Sequence, residues 1–375
     1  MFSQVKKNIF HPYTIIPVST WLLLNVFLLY QLGIVTSLES EPYIQTANKW
    51  LATGHYPSGN FIFYSVQIML NAFCIKTGIG FGFVVALQIA LNGLSVILFN
   101  KLIFLFAGSK KAAFYFTLLF LAMYYYHLYN VHLYTESLYF SFSIFFTYWL
   151  FLKAKKDIYS IVFATACIVL LCLTRPTGIF FFPAVFLFFL LKFFRQYSFG
   201  VLFIATVTIL AAFYYLLNFS MGAGGAFDFA LPYINNNIIC GVSEITEKNN
   251  LILPANINSV QGLFYLITHY PGLFFSLATK RFIAFWGMYR SHYSLIHNIF
   301  ICTYFYTLYV LCLFSFKKMF RQLKPEVIYL LCIMFLFTVT VMLSCDEWHN
   351  RFIFSILPYL LLCASVFFNK KFNSK

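Results

Sequence analysis

The sequence is short of charge. Only 9% of its 375 residues are Asp, Glu, Lys or Arg, and only ten are acidic, whereas 62% are hydrophobic. A soluble globular protein is about half apolar and about a quarter charged. This chain cannot present a wettable surface, which excludes a soluble enzyme or binding module. The composition predicts an all-α polytopic membrane protein, with residues 1–375 forming a single membrane-embedded domain surrounded by membrane lipids.

Long basic runs are also lacking. The net charge is +15, but the Lys and Arg residues stand in short clusters between apolar runs. Such clusters are typical of the cytoplasmic loops of membrane proteins, which are rich in Lys and Arg. We therefore expect no nucleic-acid partner.

The nine cysteines include no C-x-x-C pair, and most of them lie inside apolar segments, where a free thiol behaves as a small hydrophobic side chain. Cys74, Cys240 and Cys345 lie in predicted loops, so a disulfide is left open. The first apolar run, 15–35, is too long for a signal-peptide core and lacks an A-x-A cleavage site, so it is predicted to be an uncleaved span.

Apolar runs are what the sequence has in abundance. A helix needs about 20 apolar residues to cross the hydrocarbon core, and on that basis about ten spans are predicted. They are 15–36, 81–106, 112–129, 135–152, 158–174, 178–191, 199–219, 295–316, 327–343 and 352–368.

The run Phe61–Ile75 decides the topology. If it does not cross, most of the Lys and Arg residues fall on one side, as the positive-inside rule requires. Both termini are then cytoplasmic, most of the acids lie on the other side, and Phe61–Ile75 lies in or re-enters the membrane face. We expect a bacterial plasma (inner) membrane protein whose active site is on the outer face.

Two outer segments follow from this topology. The loop 37–80 carries the acidic pair Glu39 and Glu41, then an amphipathic helix between Pro42 and Gly54, which is predicted to lie in the interface. The long outer loop 220–293 contains a second interfacial stretch, 273–286, and is the predicted region of substrate specificity.

Four polar clusters stand at the outer ends of spans, where ionisable residues are costly and usually functional. They are Glu39 with Glu41, Tyr134-Thr-Glu136, Thr174-Arg-Pro-Thr-Gly178, and Cys345-Asp-Glu-Trp-His-Asn-Arg351. The chain resembles the GT-C superfamily of integral-membrane glycosyltransferases in the order of four features: the acidic first loop with its interfacial helix, then Thr135-Glu-Ser-Leu138, then Thr174-Arg-Pro-Thr-Gly178, and then Arg351-Phe-Ile-Phe-Ser-Ile-Leu-Pro358. The similarity is greatest to the bacterial family-39-like members, which are related to protein O-mannosyltransferases and to the aminoarabinose transferase.

This resemblance implies inverting transfer of one hexose or pentose from a polyprenyl-phosphate-linked donor to a glycan, lipid or protein acceptor at the outer face. A carboxylate would act as general base. Glu39 stands four residues before Tyr43, as the family's first-loop acid usually precedes an aromatic residue, and Glu41 is the reserve. Arginine suits the departing phosphate because its planar fork pairs with phosphate oxygens. The predicted donor-binding residues are Arg175 and Arg351, assisted by Lys280 or Arg281, and the predicted substrate-binding residues are Tyr43, Glu136, Asp346 and His349.

Each assignment has a structural alternative. Glu39 and Glu41 could be acids favoured by a helix N-terminus, and Glu136 could pair with Arg175 beneath the site. His127, His132 and His349 could bind a metal with Asp346, although their spacing matches no standard ligand pattern. No cofactor is predicted with certainty, and a divalent cation held by the acidic loop against the donor phosphate is left open.

Two other functions compete. A secondary transporter would usually show repeat halves and charged residues near the midplane, whereas these span centres are almost free of charge. A polysaccharide polymerase or ligase shares the many spans and the large outer loop, but has no evident need for acids directly after the first span.

Overall fold

The computed structural model describes residues 12–194, 199–222, 228–240, 249–254, 257–347 and 349–369. Over these residues the chain forms helices and loops without a β-strand, and strand-like pairing is limited to two isolated bridges, Val35–His132 and Ile239–Asp346. A helix satisfies its backbone hydrogen bonds internally, which is what a lipid environment demands. The predicted all-α class is confirmed.

The helices follow the apolar runs. In chain order the α-helices are α1 Pro12–Leu32, α2 Ser40–Thr53, α3 Ser65–Thr77, α4 Gly82–Ala107, α5 Lys110–Ala122, α6 Tyr124–His127, α7 Glu136–Leu152, α8 Ile158–Thr174, α9 Phe181–Phe189, α10 Phe199–Gly222, α11 Leu231–Ile234, α12 Ser259–His269, α13 Pro271–Gly287, α14 Leu295–Gln322, α15 Lys324–Leu343 and α16 Arg351–Ser365. Short 3₁₀ segments cover Gly59–Tyr64, Leu128–Val131, Pro176–Phe180, Asp228–Ala230 and Val366–Phe368, and a π-helical turn covers Leu190–Phe194.

Within the described residues, six helical segments are long and apolar enough to cross a membrane. They are Ile15–Leu32, Gly82–Ala107, Pro176–Phe194, Leu295–Arg321, Lys324–Leu343 and Arg351–Phe368. The other four predicted spans also form helices, α5, α7, α8 and α10, but do not meet the same criterion. One predicted span is interrupted: the run 112–129 breaks at Met123, whose backbone is not helical, so α5 has only 13 residues.

The predicted helix of the first loop is present. It is α2, which begins at Ser40, two residues before Pro42, and is followed at its C-terminal end by Gly54, whose φ of +73° is a left-handed conformation that glycine adopts without strain. The run 61–75, which decides the predicted topology, forms the 3₁₀ segment Gly59–Tyr64 followed by α3, which packs against α2 and α8. The stretch 273–286 lies within α13.

The last α-helix that the structure describes, α16, lies at the centre of the helix bundle. Of the Arg351–Phe368 span, 83% is buried inside the protein, against 17% for the first span, and α16 packs on α4, α5, α7, α14 and α15. Much of the core around it is aromatic, with close ring pairs such as Phe99–Phe120 and Tyr126–Phe140. The abundant aromatic residues therefore fill the interior as well as the surface.

A seam of buried polar side chains attaches the first helix. The Asn92 side-chain oxygen on α4 accepts a hydrogen bond from the Trp21 indole at 3.0 Å and lies 3.1 Å from His127 Nδ1. Gly93 leaves room for the indole, because a Cβ there would lie 2.6 Å from the ring. Hydrogen bonds between helices favour their association in lipid, where an unpaired polar group has no water with which to form a hydrogen bond. Nothing in the hydropathy pattern indicated this seam.

Lysine side chains lie at the end of the bundle opposite Glu136 and Arg351. Lys192 binds Glu326 at 3.0 Å and the carbonyl of Phe151 at 3.4 Å. Lys318 donates to the carbonyl of Asn369, at the end of the last helix. These contacts lie at the far ends of α7, α15 and α16, away from Glu136 and Arg351.

A disulfide joins Cys240 to Cys345. Around it the backbone amide of Cys240 donates to the Asp346 carbonyl at 2.7 Å, and the Asp346 amide donates to the Ile238 carbonyl at 2.9 Å. The segment 238–240 of the long loop is thereby fixed beside the segment 345–347. Disulfides persist in oxidising compartments, so this pair bears on which side of the membrane the segment occupies.

The cysteine pairing predicts an alkylation pattern. Denatured protein treated with iodoacetamide should be modified at seven cysteines, the free ones, and at all nine only after reduction. Mass spectrometry of the intact protein measures both numbers. The Cys240→Ser variant, which has no pair, should gain no label on reduction. Modification of all cysteines of the wild type without reduction would contradict the disulfide.

Candidate functional site

Residues from all four predicted polar clusters meet at one end of the bundle. Glu39, Glu136, Arg175, Glu347 and Arg351 line one side of a cavity of about 280 Å³. They come from the start of α2, the start of α7, the turn after α8, the segment before α16 and the first residue of α16. Charges more than 300 residues apart in sequence are thus within hydrogen-bonding distance of each other.

Glu39 is positioned by the turn that follows α1. The Val35 amide donates to the Val131 carbonyl at 2.9 Å, and the Leu133 amide donates to the Val35 carbonyl at 3.2 Å. Leu38 then adopts a φ of +58°, which a leucine rarely does. This bend brings Glu39 to the cavity, close to the start of α7.

Arg175 is positioned by a reversal of the chain. The helix α8 ends at Thr174, and Pro176 begins a 3₁₀ segment that turns back on the helix end. At Gly178 a Cβ would lie 2.3 Å from the backbone of Leu171, so only glycine fits this approach. The motif Thr174-Arg-Pro-Thr-Gly178 therefore builds a turn that presents the arginine.

Arg351 begins the central helix. The preceding residue, Asn350, has a φ of +57°, a left-handed conformation that asparagine tolerates, and its side-chain amide donates to the Tyr293 hydroxyl at 3.4 Å. The Arg351 side chain is 7% exposed. A residue with left-handed backbone thus stands directly before each member of the Glu39–Arg351 pair.

The Arg351 guanidinium binds three carboxylates. Both oxygens of Glu39 accept hydrogen bonds, one from Nη1 and one from Nη2. Nη1 also donates to Glu136 at 3.0 Å, and Nη2 donates to Glu347 at 2.6 Å. Since each of these nitrogens carries two hydrogens, all four Nη hydrogens are engaged.

Glu136 joins the two arginines. Its Oε1 lies 2.7 Å from Arg175 Nη1 and 3.0 Å from Arg351 Nη1. The Glu136 side chain is only 1% exposed, whereas that of Glu39 is 44% exposed. Glu136 therefore forms the ion pair with Arg175 that the sequence analysis gave as its structural alternative. Both residues also line the cavity. Glu39 does not cap the backbone of α2 with its side chain, so its partner is Arg351.

Two phenols face this charged cluster. Tyr43 and Tyr64 line the cavity with their ring centroids 5.3 Å apart. Burial, together with nearby negative charge, raises the pKa of Tyr43 well above its usual value, and burial raises the pKa of Tyr64. Both hydroxyls therefore stay protonated at neutral pH and can donate hydrogen bonds to a ligand.

Three predicted site residues lie elsewhere. Glu41 is exposed and does not line the cavity. Lys280 is also exposed. Arg281 is fully buried, donates to the carbonyls of Asn237, Pro232 and Met342, and lies over the ring of Tyr233. Its guanidinium is occupied by backbone carbonyls because it holds the loop segment 232–237 against α15.

Asp346 and His349 are also outside the cavity. Asp346 is buried, pairs with Arg290, and accepts a hydrogen bond from the Glu347 amide at 2.8 Å. His349 is exposed, and its carbonyl accepts from the Tyr129 hydroxyl at 3.5 Å. The acid that reaches the site from this cluster is Glu347, one residue beyond the predicted Asp346.

Several cavity residues were not among the predicted site residues. Besides Glu347 they are Pro42, Phe61, Tyr64 and Thr135. The spacing of Glu347 to Arg351, four residues apart as on one helical face, was the available signal. Over the part of the chain that the structure describes, no group of three or more His, Cys, Asp or Glu side chains could hold a metal ion.

Comparisons with protein families, curated proteins and solved structures give no match to this chain.

The central position of Glu136 leads to a stability prediction. The Glu136→Gln variant leaves Arg175 buried without its carboxylate, and breaking a buried ion pair typically costs about 3–5 kcal/mol. We expect a loss of this order in the free energy of unfolding, measured by chemical denaturation in mixed micelles. The Glu41→Gln variant, exposed on α2, should stay within about 0.5 kcal/mol of wild type. Equal effects of the two substitutions would contradict the role of Glu136.

Proposed function

We propose that this protein is a membrane glycosyltransferase that moves one hexose or pentose from a polyprenyl-phosphate-linked donor to an acceptor hydroxyl at the non-cytoplasmic face. One observation carries the proposal: two buried arginines share a cavity with the half-exposed carboxylate of Glu39. This supports the proposal because the reaction requires anion binding and proton acceptance, and these side chains are suited to the two tasks.

The proposed topology has ten spans, made of the six long apolar segments together with α5, α7, α8 and α10. Both termini are cytoplasmic, and α2 and α13 lie in the outer interface. Two findings support this orientation. Lysines gather at the end of the bundle opposite the cavity, as the positive-inside rule requires of a cytoplasmic face. The Cys240–Cys345 disulfide lies at the cavity end, as an oxidising compartment would allow.

Arg175 is the first candidate for the donor phosphate. It lines the cavity and contacts Glu136 through Nη1. A guanidinium carries five N–H donors, so Arg175 keeps donors for phosphate oxygens. Charge-assisted hydrogen bonds from arginine to phosphate are short and strong, and the charge of arginine persists at any working pH.

Glu39 is the proposed general base. Its carboxylate takes the proton of the acceptor hydroxyl while the acceptor oxygen forms a bond to the anomeric carbon of the donor sugar. The bond between that carbon and the phosphate oxygen breaks, and polyprenyl phosphate leaves with the electron pair. The negative charge of Glu39 is thus transferred to the departing phosphate, beside Arg175 and Arg351. A positioned base of this kind contributes about 10²–10⁴-fold to the rate.

The size of the cavity favours transfer of a single sugar. Its volume of about 280 Å³ lies at the lower limit of small-ligand sites, about 300–1,000 Å³. Tyr43 and Tyr64 can donate hydrogen bonds to sugar or phosphate oxygens. The lipid chain of the donor and the acceptor, whether glycan, lipid or protein, would lie outside this cavity.

The test is mass spectrometry of lipid-linked and surface glycans in a deletion strain of the producing organism. One sugar mass should disappear in the deletion and return with the wild-type gene. The Glu39→Gln variant, at matched protein level, should fail to restore it, with at least a 100-fold loss of transfer, because the amide cannot accept the acceptor proton.

The matched control is Glu41→Gln, two residues away and outside the cavity, which should restore the glycan. Failure of Glu41→Gln alone would move the base to Glu41. Unchanged glycans together with lost uptake of a solute would contradict the transferase and favour a transporter.

A further inference from the structure

The hydrogen bonds of Arg351 limit what the site can bind. Both hydrogens of Nη1 and both of Nη2 are engaged by Glu39, Glu136 and Glu347. The cavity also carries three carboxylates against two guanidiniums, which is one negative charge in excess. A donor phosphate can reach the Nη donors of Arg351 only if one carboxylate leaves, and the two carboxylates that remain then balance the charge of the two guanidiniums.

Exposure indicates which carboxylate leaves. The side chain of Glu39 is 44% exposed, against 21% for Glu347 and 1% for Glu136. A carboxylate that loses its partner in a buried position pays a large desolvation penalty, whereas one at the surface regains water. Glu136 also has to neutralise Arg175, and Glu347 is fixed by its backbone hydrogen bond to Asp346. Glu39 is therefore the partner that can be released.

We propose that the donor phosphate displaces Glu39 from Arg351, and that this exchange frees the Glu39 carboxylate to act as the base. The inference rests on the proposed function. Without donor, both oxygens of Glu39 are engaged by hydrogen bonds from Arg351. With donor bound, Glu136 and Glu347 keep Arg351 in place while its freed hydrogens bind the phosphate. Donor binding thus precedes activation of the acceptor, which gives an ordered reaction.

The exchange predicts that removing the base strengthens binding of the phosphate. Affinity is reduced by the fraction of protein in which the binding groups are blocked, and the Glu39→Gln variant loses the carboxylate that blocks Arg351. Purified protein in nanodiscs, titrated with a long-chain polyprenyl monophosphate by calorimetry, should show at least about fivefold tighter binding for Glu39→Gln, about 1 kcal/mol. The same variant should not transfer sugar.

Four further measurements separate the outcomes. Arg175→Met should weaken binding of the polyprenyl phosphate about tenfold, and Glu41→Gln should leave it unchanged. Glu39→Ala, with its unfolding temperature recorded, repeats the test with a smaller side chain. Inorganic phosphate, titrated in parallel, should bind more weakly than the lipid.

Binding that depends on Arg175 but is equal or weaker in both Glu39 variants would overturn the exchange and leave the proposed function standing. Binding of polyprenyl phosphate that is independent of Arg175, or absent, would overturn the proposed function and the exchange with it. Equal affinity for inorganic phosphate would contradict the lipid-linked donor.

Discussion

A guanidinium at the first residue of a buried helix needs compensating charge, and the arrangement of the cavity end follows from that constraint. Arg351 is surrounded by acids that come from α2, α7 and the segment before α16. Because an unpaired buried charge is so costly, these three elements have to meet wherever Arg351 lies. Glu136 then brings in Arg175 and with it the end of α8.

The backbone conformation around this cluster holds its charged side chains in position. Unusual conformations occur at Leu38 and Asn350, one residue before Glu39 and Arg351, and Gly178 permits the close turn beside Arg175. Strained or restricted backbone is retained where the surrounding structure fixes it. Further contacts hold these turns, from the Val35 pairing with 131–133 to the disulfide beside Asp346. The charged groups are thus fixed at helix ends, while the helices themselves supply a rigid apolar support.

Much of this arrangement could be predicted from the sequence. Hydropathy located the helices, and charge in an apolar chain indicated Glu39, Glu136, Arg175 and Arg351, since ionisable residues near membrane spans need a reason to be there. Contacts between distant segments could not be predicted. Arg281 and Asp346 carry the same charges as the arginines and glutamates of the cavity. Arg281, however, is bound by backbone carbonyls and Asp346 by Arg290, both away from the cavity. The polar seam at Asn92 and the break at Met123 also depend on partners that local patterns do not reveal.

The burial of α16 has a consequence for how the protein is made. This helix is the last of those described and also the most enclosed, so it leaves the ribosome after every helix that surrounds it. The earlier helices must therefore enter the membrane as an incomplete ring of helices whose central position is still empty. Glu136 and Arg175 are already able to pair at that stage. Arrival of Arg351 both closes the ring and completes the charge balance of the site. A chain stopped before residue 351 would lack both the core helix and the guanidinium that the three carboxylates bind, so incomplete products would be unstable.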